Sequence, residues 1–207
     1  MENAESKFAS KNLTMGEINA IVKKLGGEEN ARKFLRDELV VSKPISQQIL
    51  FGRLKKVISN IYLEPTEHFN TRDFFKTKND GGIFAYVDND IFNWFETEIH
   101  NSPVKELASY EFTEKITEEN IVGDAKTNEI YEEVDFAHIK QVCERHISKG
   151  EKLLQENCKS NLFWVRNKKG ELCKVSVWLN DDGWYVYVIG FYARSGWGAG
   201  GHSFFRN

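Results

Sequence analysis

The most regular hydrophobic pattern lies in the last third of the chain. Residues 161–190 read NLFWVRN-KKG-ELCKVSVWLN-DDG-WYVYVIG, three apolar runs separated by glycine-containing turns. In the second run Cys173, Val175, Val177 and Leu179 alternate with Lys174, Ser176, Trp178 and Asn180. In the third, Trp184, Val186 and Val188 alternate with Tyr185, Tyr187 and Ile189. Period-two alternation of β-branched and aromatic residues predicts an antiparallel meander. Ahead of it, DFAHIKQVCERHISKG places Phe136, Ile139, Val142, Cys143, His146 and Ile147 on one helical stripe. Asp135 is a good N-cap for that helix, Gly150 ends or bends it, and EKLLQEN reads as a resumption.

The first third has a helical period. Ile18, Ile21, Val22 and Leu25 follow i, i+3, i+4, i+7 behind a Thr14–Glu17 capping box. Gly26-Gly27 stops this helix, and Ala31, Phe34, Leu35 and Leu39 line a second. The pair predicts a helical hairpin. A helix-turn-helix DNA reader has the same outline, but EENARKFLRDE carries too many acids to suit a groove-inserting helix. After Pro44, ISQQILFGRLKKVISNIYLEP spaces Ile49, Leu50, Leu54, Val57, Ile58 and Ile61 as a third helix ending before Pro65. Residues 66–80 are polar. A strand is expected at Ile83–Val87, a turn at Asp88-Asn89-Asp90, and core anchors at Phe92, Trp94 and Phe95. Residues 100–133 are acidic and irregular, with a short helix at TEENIV.

These elements predict an α+β protein: an N-terminal helical hairpin, a mixed middle, and a C-terminal helix packed on an antiparallel β-meander. The regions are a disordered lead at 1–12, a helical module at 13–43, an acidic middle at 44–133, and a helix plus sheet at 134–207. The 207 residues, 41% hydrophobic, suffice for a substantial core without staples. No run of about 18 apolar residues is present, so no membrane partner is expected. The polar start MENAESKFASKN has no apolar signal region, and three cysteines form no disulfide framework. A cytoplasmic protein is expected.

The net charge of -3 conceals a division. Residues 1–63 carry eleven Lys/Arg against seven Asp/Glu, residues 64–158 ten against twenty-one, and residues 159–207 seven against three. An acidic middle between basic ends has three readings: internal complementarity, a polyanion-binding end, or a mixed solvated surface.

Catalytic signals are weak. Gly196-Trp197-Gly198-Ala199-Gly200-Gly201 spells G-x-G-x-x-G, but six residues follow it, too few for the helix, second strand and acid of a dinucleotide site. A closing loop whose Trp197 packs back on the sheet is expected instead. Cys143 and His146 have a spacing that suits two metal ligands on a helix, but no second pair follows, and the stripe position makes both core residues. The adjacent pairs Glu118-Glu119 and Glu132-Glu133 do not converge and read as a solvated acidic face. No cofactor, metal or catalytic residue is assigned.

Four of the five tryptophans lie at or after residue 164, so a binding surface belongs in the C-terminal sheet. Trp164, Trp178, Tyr185, Tyr187 and Trp197 are the candidates for contact with a protein or other macromolecular partner. Arg166, Lys168, Lys169, Lys174 and Arg206, interleaved with aromatics, are the candidates for single-stranded nucleic acid. A third possibility is an enzyme whose site assembles from distant residues such as Cys143, His146 and the acidic middle. The expected function is non-catalytic recognition of a macromolecule.

The stretches MGEINAIVKKLGGEENARKFLRDELVVSKP, ITEENIVGDAKTNEIYEEVDFAHIKQV and NLFWVRNKKGELCKVSVWLNDDGWYVYV together resemble a family of uncharacterised proteins from candidate-phylum, Patescibacteria-like bacteria. The resemblance runs from about residue 14 to residue 207. It implies a portable N-terminal module set before different C-terminal halves. The tail resembles W-x-A-G-x-x-x-F-x-R-N, met by Trp197, Ala199, Gly200, Phe204, Arg206 and Asn207. Gly198 and Gly201 fall outside that pattern, which agrees with an accidental glycine fingerprint. The family implies no activity and no site residue.

Overall fold

A computed structural model describes residues 14–24, 27–36 and 50–207. The predicted lead at 1–12, Leu25, Leu39, Pro44 and Ile49 lie outside the described residues. The chain divides into two units, 1–47 and 48–207. In the first, α1 (Met15–Lys24) and α2 (Glu28–Leu35) are the two expected helices. Gly27 between them has φ 108°, a conformation glycine adopts without steric cost. Ala31 is buried, whereas Ile18 and Ile21 on the apolar stripe of α1 are exposed.

The second unit is α+β, as the sequence predicts. Its elements in chain order are β1 (Leu50–Phe51), β2 (Leu54–Leu63), β3 (Thr66–Asn70), α3 (Thr71–Phe74), β4 (Tyr86–Val87), α4 (Asp90–Trp94), β5 (Glu98–Ser102) and β6 (Lys105–Phe112). They continue with β7 (Ile116–Thr117), α5 (Glu118–Thr127), α6 (Phe136–Cys143), β8 (Asn161–Arg166), β9 (Leu172–Asn180), β10 (Gly183–Gly190), β11 (Gly196–Trp197) and β12 (His202–Arg206). Eight strands form one sheet in the order β1-β2-β6-β12-β8-β9-β10-β4. The predicted meander is its β8-β9-β10 segment, antiparallel throughout, with Trp184 opposite Leu179 and Val186 opposite Val177. Strands from the acidic middle complete the same sheet, and the last strand, β12, sits inside it between β6 and β8.

Alternation along the strands builds two cores. On one face Leu107, Phe163, Val175, Val177, Val186 and Phe204 pack with Phe136, Ile139 and Val142 of α6. On the other, Tyr110, Phe112, Leu162, Trp164 and Phe205 pack with Ile121, Val122 and Ala125 of α5. The C-terminal helix is capped as expected: the Asp135 carboxylate accepts from the backbone N–H of Ala137 and His138. It runs into a wider turn at Glu144–Ser148 and stops there. His146 Nδ1 accepts the backbone N–H groups of Leu153 and Leu154, each at 3.2 Å, so EKLLQEN does not resume a helix.

The expected third helix is a strand hairpin, β1 and β2, turned at Gly52 with φ 64°. Helix-like spacing in this segment has a definite cause. The pairing of β2 with β6 slips between Lys56 and Ile58 and again between Ile58 and Ile61, where Asn60 has φ 58°. The first bulge turns Leu54 and Ile58 toward different cores, and the second stretches the interval from Ile58 to Ile61 from two residues to three. The expected strand at Ile83–Val87 shortens to β4, which pairs parallel with β10. The segment read as irregular, 100–133, instead carries β6, an interior strand, while α5 covers the predicted TEENIV helix.

A single ion pair ties the hairpin to α5. Asp124 accepts from Arg53 Nε and Nη2, both at 2.9 Å, and from the Arg53 backbone N–H at 3.0 Å. A Cβ on Gly52 would lie 2.7 Å from the same carboxylate. The Arg53 hydrogen bonds hold the Asp124 carboxyl below its ordinary range. Its folded value is below its unfolded value of about 3.9, so its stabilisation is complete above that pH and lost as the pH falls. Both groups are partly exposed, so Asp124→Asn costs about 1–2 kcal/mol at pH 7 after allowance for solvent screening. In urea unfolding, the gap between wild type and variant narrows as the pH drops below about 4.

Candidate functional site

The C-terminal sheet presents its candidate residues in two very different ways. Tyr185 and Tyr187 point to the same side of β10, and Trp178 points there from β9, directly opposite Tyr185. Parallel pairing of β4 with β10 sets Tyr86 beside Tyr185. The four rings form one tile. Tyr86 stacks on Tyr187 at 4.8 Å and on Tyr185 at 5.8 Å between ring centroids. Trp178 lies 5.3 Å from Tyr185 and 6.4 Å from Tyr187. Tyr86 is 39% exposed, and the other three are half-buried by one another. The α5 layer covers the neighbouring part of this sheet face and leaves the tile open.

The rim of the tile is acidic. Tyr185 donates its hydroxyl to Asp182 at 2.7 Å, and this hydrogen bond raises its pKa. Asp88 accepts the backbone N–H groups of Asp90 and Val188. Burial first, and then Asp88, raise the Tyr86 pKa. Lys78 reaches this rim and donates to the backbone carbonyl of Asp182 at 2.7 Å.

The remaining candidates are engaged elsewhere. Trp164 is fully buried and donates its indole N–H to Ser203 at 2.8 Å, so no partner reaches it. Lys174 shares the alternating face of Trp178 but is buried beneath the closing loop. Its ammonium lies 2.7 Å from Glu118, and the two side chains are 1% and 0% exposed. The same ammonium donates to the carbonyl of Gly190 at 2.9 Å. Glu118 also accepts the backbone N–H of Tyr192 at 2.9 Å and the indole N–H of Trp197 at 3.3 Å. The Tyr192 and Trp197 rings each lie 5.7 Å from the ammonium. Burial lowers the Lys174 pKa, and Glu118 works against that shift.

Arg166 pairs with Glu133 at 2.8 Å, and Arg206 with Glu132 at 3.0 Å; Glu132 also holds Lys105. Three of the four acids expected on a solvated face, the wholly buried Glu118 with Glu132 and Glu133, are therefore counter-ions of the basic C-terminal region, whereas Glu119 is exposed. Lys168 and Lys169, on the β8–β9 turn, are exposed and unpaired among the described residues.

The glycine-rich tail is a closing loop, and it opens a strand. Gly196–Trp197 pairs with Ile116–Thr117, and the half-buried Trp197 packs against the second core. Gly201 precedes β12, where a Cβ would meet the Phe112 ring at 2.9 Å. The element that follows Gly201 is a strand, so this loop does not open the helix N-terminus that a phosphate-binding fingerprint needs. Cys143 is buried in the first core, and burial drives its thiol far above the ordinary range. No group of three or more His, Cys, Asp or Glu among the described residues could hold a metal.

One constellation has the composition of a nucleophilic triad. Asp135 lies 2.8 Å from His138, and Ser102 lies 3.3 and 3.5 Å from the two ring nitrogens. Its geometry is that of a cap. His138 Nε2 faces the Pro103 carbonyl at 2.8 Å, Nδ1 accepts the Asp135 backbone N–H, and Ser102 and His138 are buried. Ser102 sits at the side of the ring with no solvent path, whereas a nucleophile needs an accessible oxygen in line with its base.

Tyr86 and Glu118 are the two residues the sequence reading does not select. Tyr86 sits in the IFAYV run, so its aromatic character is visible, but its neighbours arise from a pairing across about 100 residues. Comparisons with protein-family models, with curated proteins and with solved structures return no match.

Removing the Lys174 charge leaves a buried carboxylate unpaired. Lys174→Met is expected to cost about 3–5 kcal/mol in denaturant unfolding. Pairing it with Glu118→Gln removes the orphaned charge and recovers at least half of the loss. Equal or greater loss in the double variant would show that the two groups act independently.

Proposed function

We propose that this chain is a non-catalytic binding protein that recognises a protein or other macromolecular partner on the four-ring tile. The observation that supports this is the packing of Tyr86, Trp178, Tyr185 and Tyr187 into one open aromatic surface. Rigid aromatic side chains supply large contact area at small entropic cost, and here mutual stacking has already ordered them. Acids at the rim favour an uncharged or basic partner, a glycan chain or a protein segment. A polyanion needs cations beside the rings, yet Lys174, Arg166 and Arg206 are held by Glu118, Glu133 and Glu132. The proposal includes a cytoplasmic setting, supported by three free thiols, of which Cys143 and Cys173 are buried. It also includes membership of the candidate-phylum family, supported by the tail residues Trp197 to Asn207.

Glycan and peptide arrays probed with the full chain supply the test. Ligands of the tile bind about tenfold or more weakly to Trp178→Ala and Tyr187→Ala variants that retain the wild-type circular dichroism. Arrays without a ligand, or ligands indifferent to both substitutions, overturn the proposal. Fluorescence anisotropy of labelled single-stranded DNA and RNA is expected to show no binding at low salt. Micromolar binding that weakens steeply with salt and is lost in Trp178→Ala and Tyr187→Ala would replace it with the nucleic-acid alternative.

A further inference from the structure

A concave site lies at the opposite end of the strands that carry the tile. It is a cleft of about 820 Å³ between α4, the β8–β9 turn and the end of β10. Cys173, opposite Gly190, forms part of its floor, whereas Trp178, opposite Tyr185, belongs to the tile. Five residues along β9 separate the two, about 17 Å at 3.4 Å per residue. The volume falls in the range of small-molecule sites, about 300–1,000 Å³.

The lining is aromatic and, at its exposed positions, basic. Trp94, packed against the first core, Phe191, packed against the second, and Tyr192 line it together with the exposed Lys168 and Lys169. Glu171 is the sole carboxylate of the lining. It accepts from the Asn167 side-chain amide at 2.8 Å and leaves both lysines unpaired among the described residues. Two ammoniums against one carboxylate make the rim net positive.

The rim is also built. Asn167 Oδ1 accepts the backbone N–H groups of Lys169 and Glu171, each at 2.9 Å. The Lys168 backbone N–H donates to the Trp94 carbonyl at 2.9 Å, which fastens the turn to the end of α4. On the far side the Lys174 ammonium grips the Gly190 carbonyl beneath Tyr192. These hydrogen bonds fix the backbone of the turn and of Gly190 without a ligand, the preorganisation a small-molecule site needs. Cys173 is buried, and burial raises its thiol pKa.

We propose that this cleft binds a small anion with a flat aromatic body, its ring against the aromatic lining of Trp94, Phe191 and Tyr192 and its charge at Lys168 and Lys169. A ring on aromatic side chains gains stacking and apolar burial, and a phosphate or carboxylate at the mouth meets both ammoniums.

The test is a titration of the full ¹⁵N-labelled chain with adenosine monophosphate and, separately, indole-3-acetate. The uncharged counterparts are adenosine and indole-3-acetamide. At least one anion is expected to shift amides of residues 93–94, 167–173 and 190–192 while the tile amides stay unmoved. Which anion binds distinguishes a phosphate from a carboxylate ligand. That anion binds about tenfold more tightly than its uncharged counterpart, and Lys168→Glu/Lys169→Glu abolishes the difference. Both lysines are exposed, so the double variant keeps the wild-type Tm; Trp94→Ala weakens anion and neutral ligand alike. Binding of neither anion, shifts outside the cleft, or full affinity in the double variant would overturn the proposal.

Discussion

A buried ammonium and a buried carboxylate hold this unit in its observed form. Neither Lys174 nor Glu118 retains solvent, and each is a cost to folding without the other. Their position gives the pair its reach. Glu118 opens α5, Lys174 lies in mid-sheet, and the loop after β10 closes over both through the Tyr192 and Trp197 N–H groups. Helix, sheet and closing loop meet at one point. From there the chain returns through Gly201 into β12, which fills the sheet between β6 and β8.

The same economy of charge shapes the surface. Arg166 and Arg206 are paired with acids of the middle region as Lys174 is, so the basic C-terminal end and the acidic centre neutralise each other inside one fold. Of the three readings open to the charge division, internal complementarity describes these contacts. What remains unspent is local. The aromatic tile has an acidic rim, and the cleft at the other end of β9 and β10 has two unpaired lysines. One pair of strands therefore carries two surfaces of opposite electrostatic character.

The legible parts of the sequence are those with an uninterrupted period. The β8-β9-β10 meander, the α6 stripe behind Asp135 and the TEENIV helix emerge where local pattern and final burial agree. The β2 strand is hidden by its own bulges, which break the two-residue alternation of its apolar positions. The continuation after Gly150 was hidden by a side chain, because His146 takes the donors of Leu153 and Leu154. At the site, Trp178, Tyr185 and Tyr187 share a face that alternation alone identifies. The division of Trp164 into core and Tyr86 into tile depends on which strands lie alongside.

By itself the sequence determined the α+β class, the faces of the last strands and the aromatic wealth of one of them. Those properties depend on neighbours a few residues away, where side-chain direction follows from backbone period. Only the tertiary structure decided which of those aromatics meet solvent and which cations lie free. Burial and ion pairing are set by residues about 50 to 100 positions apart, as with Lys174 and Glu118 or Tyr185 and Tyr86. No local pattern encodes a distance between them.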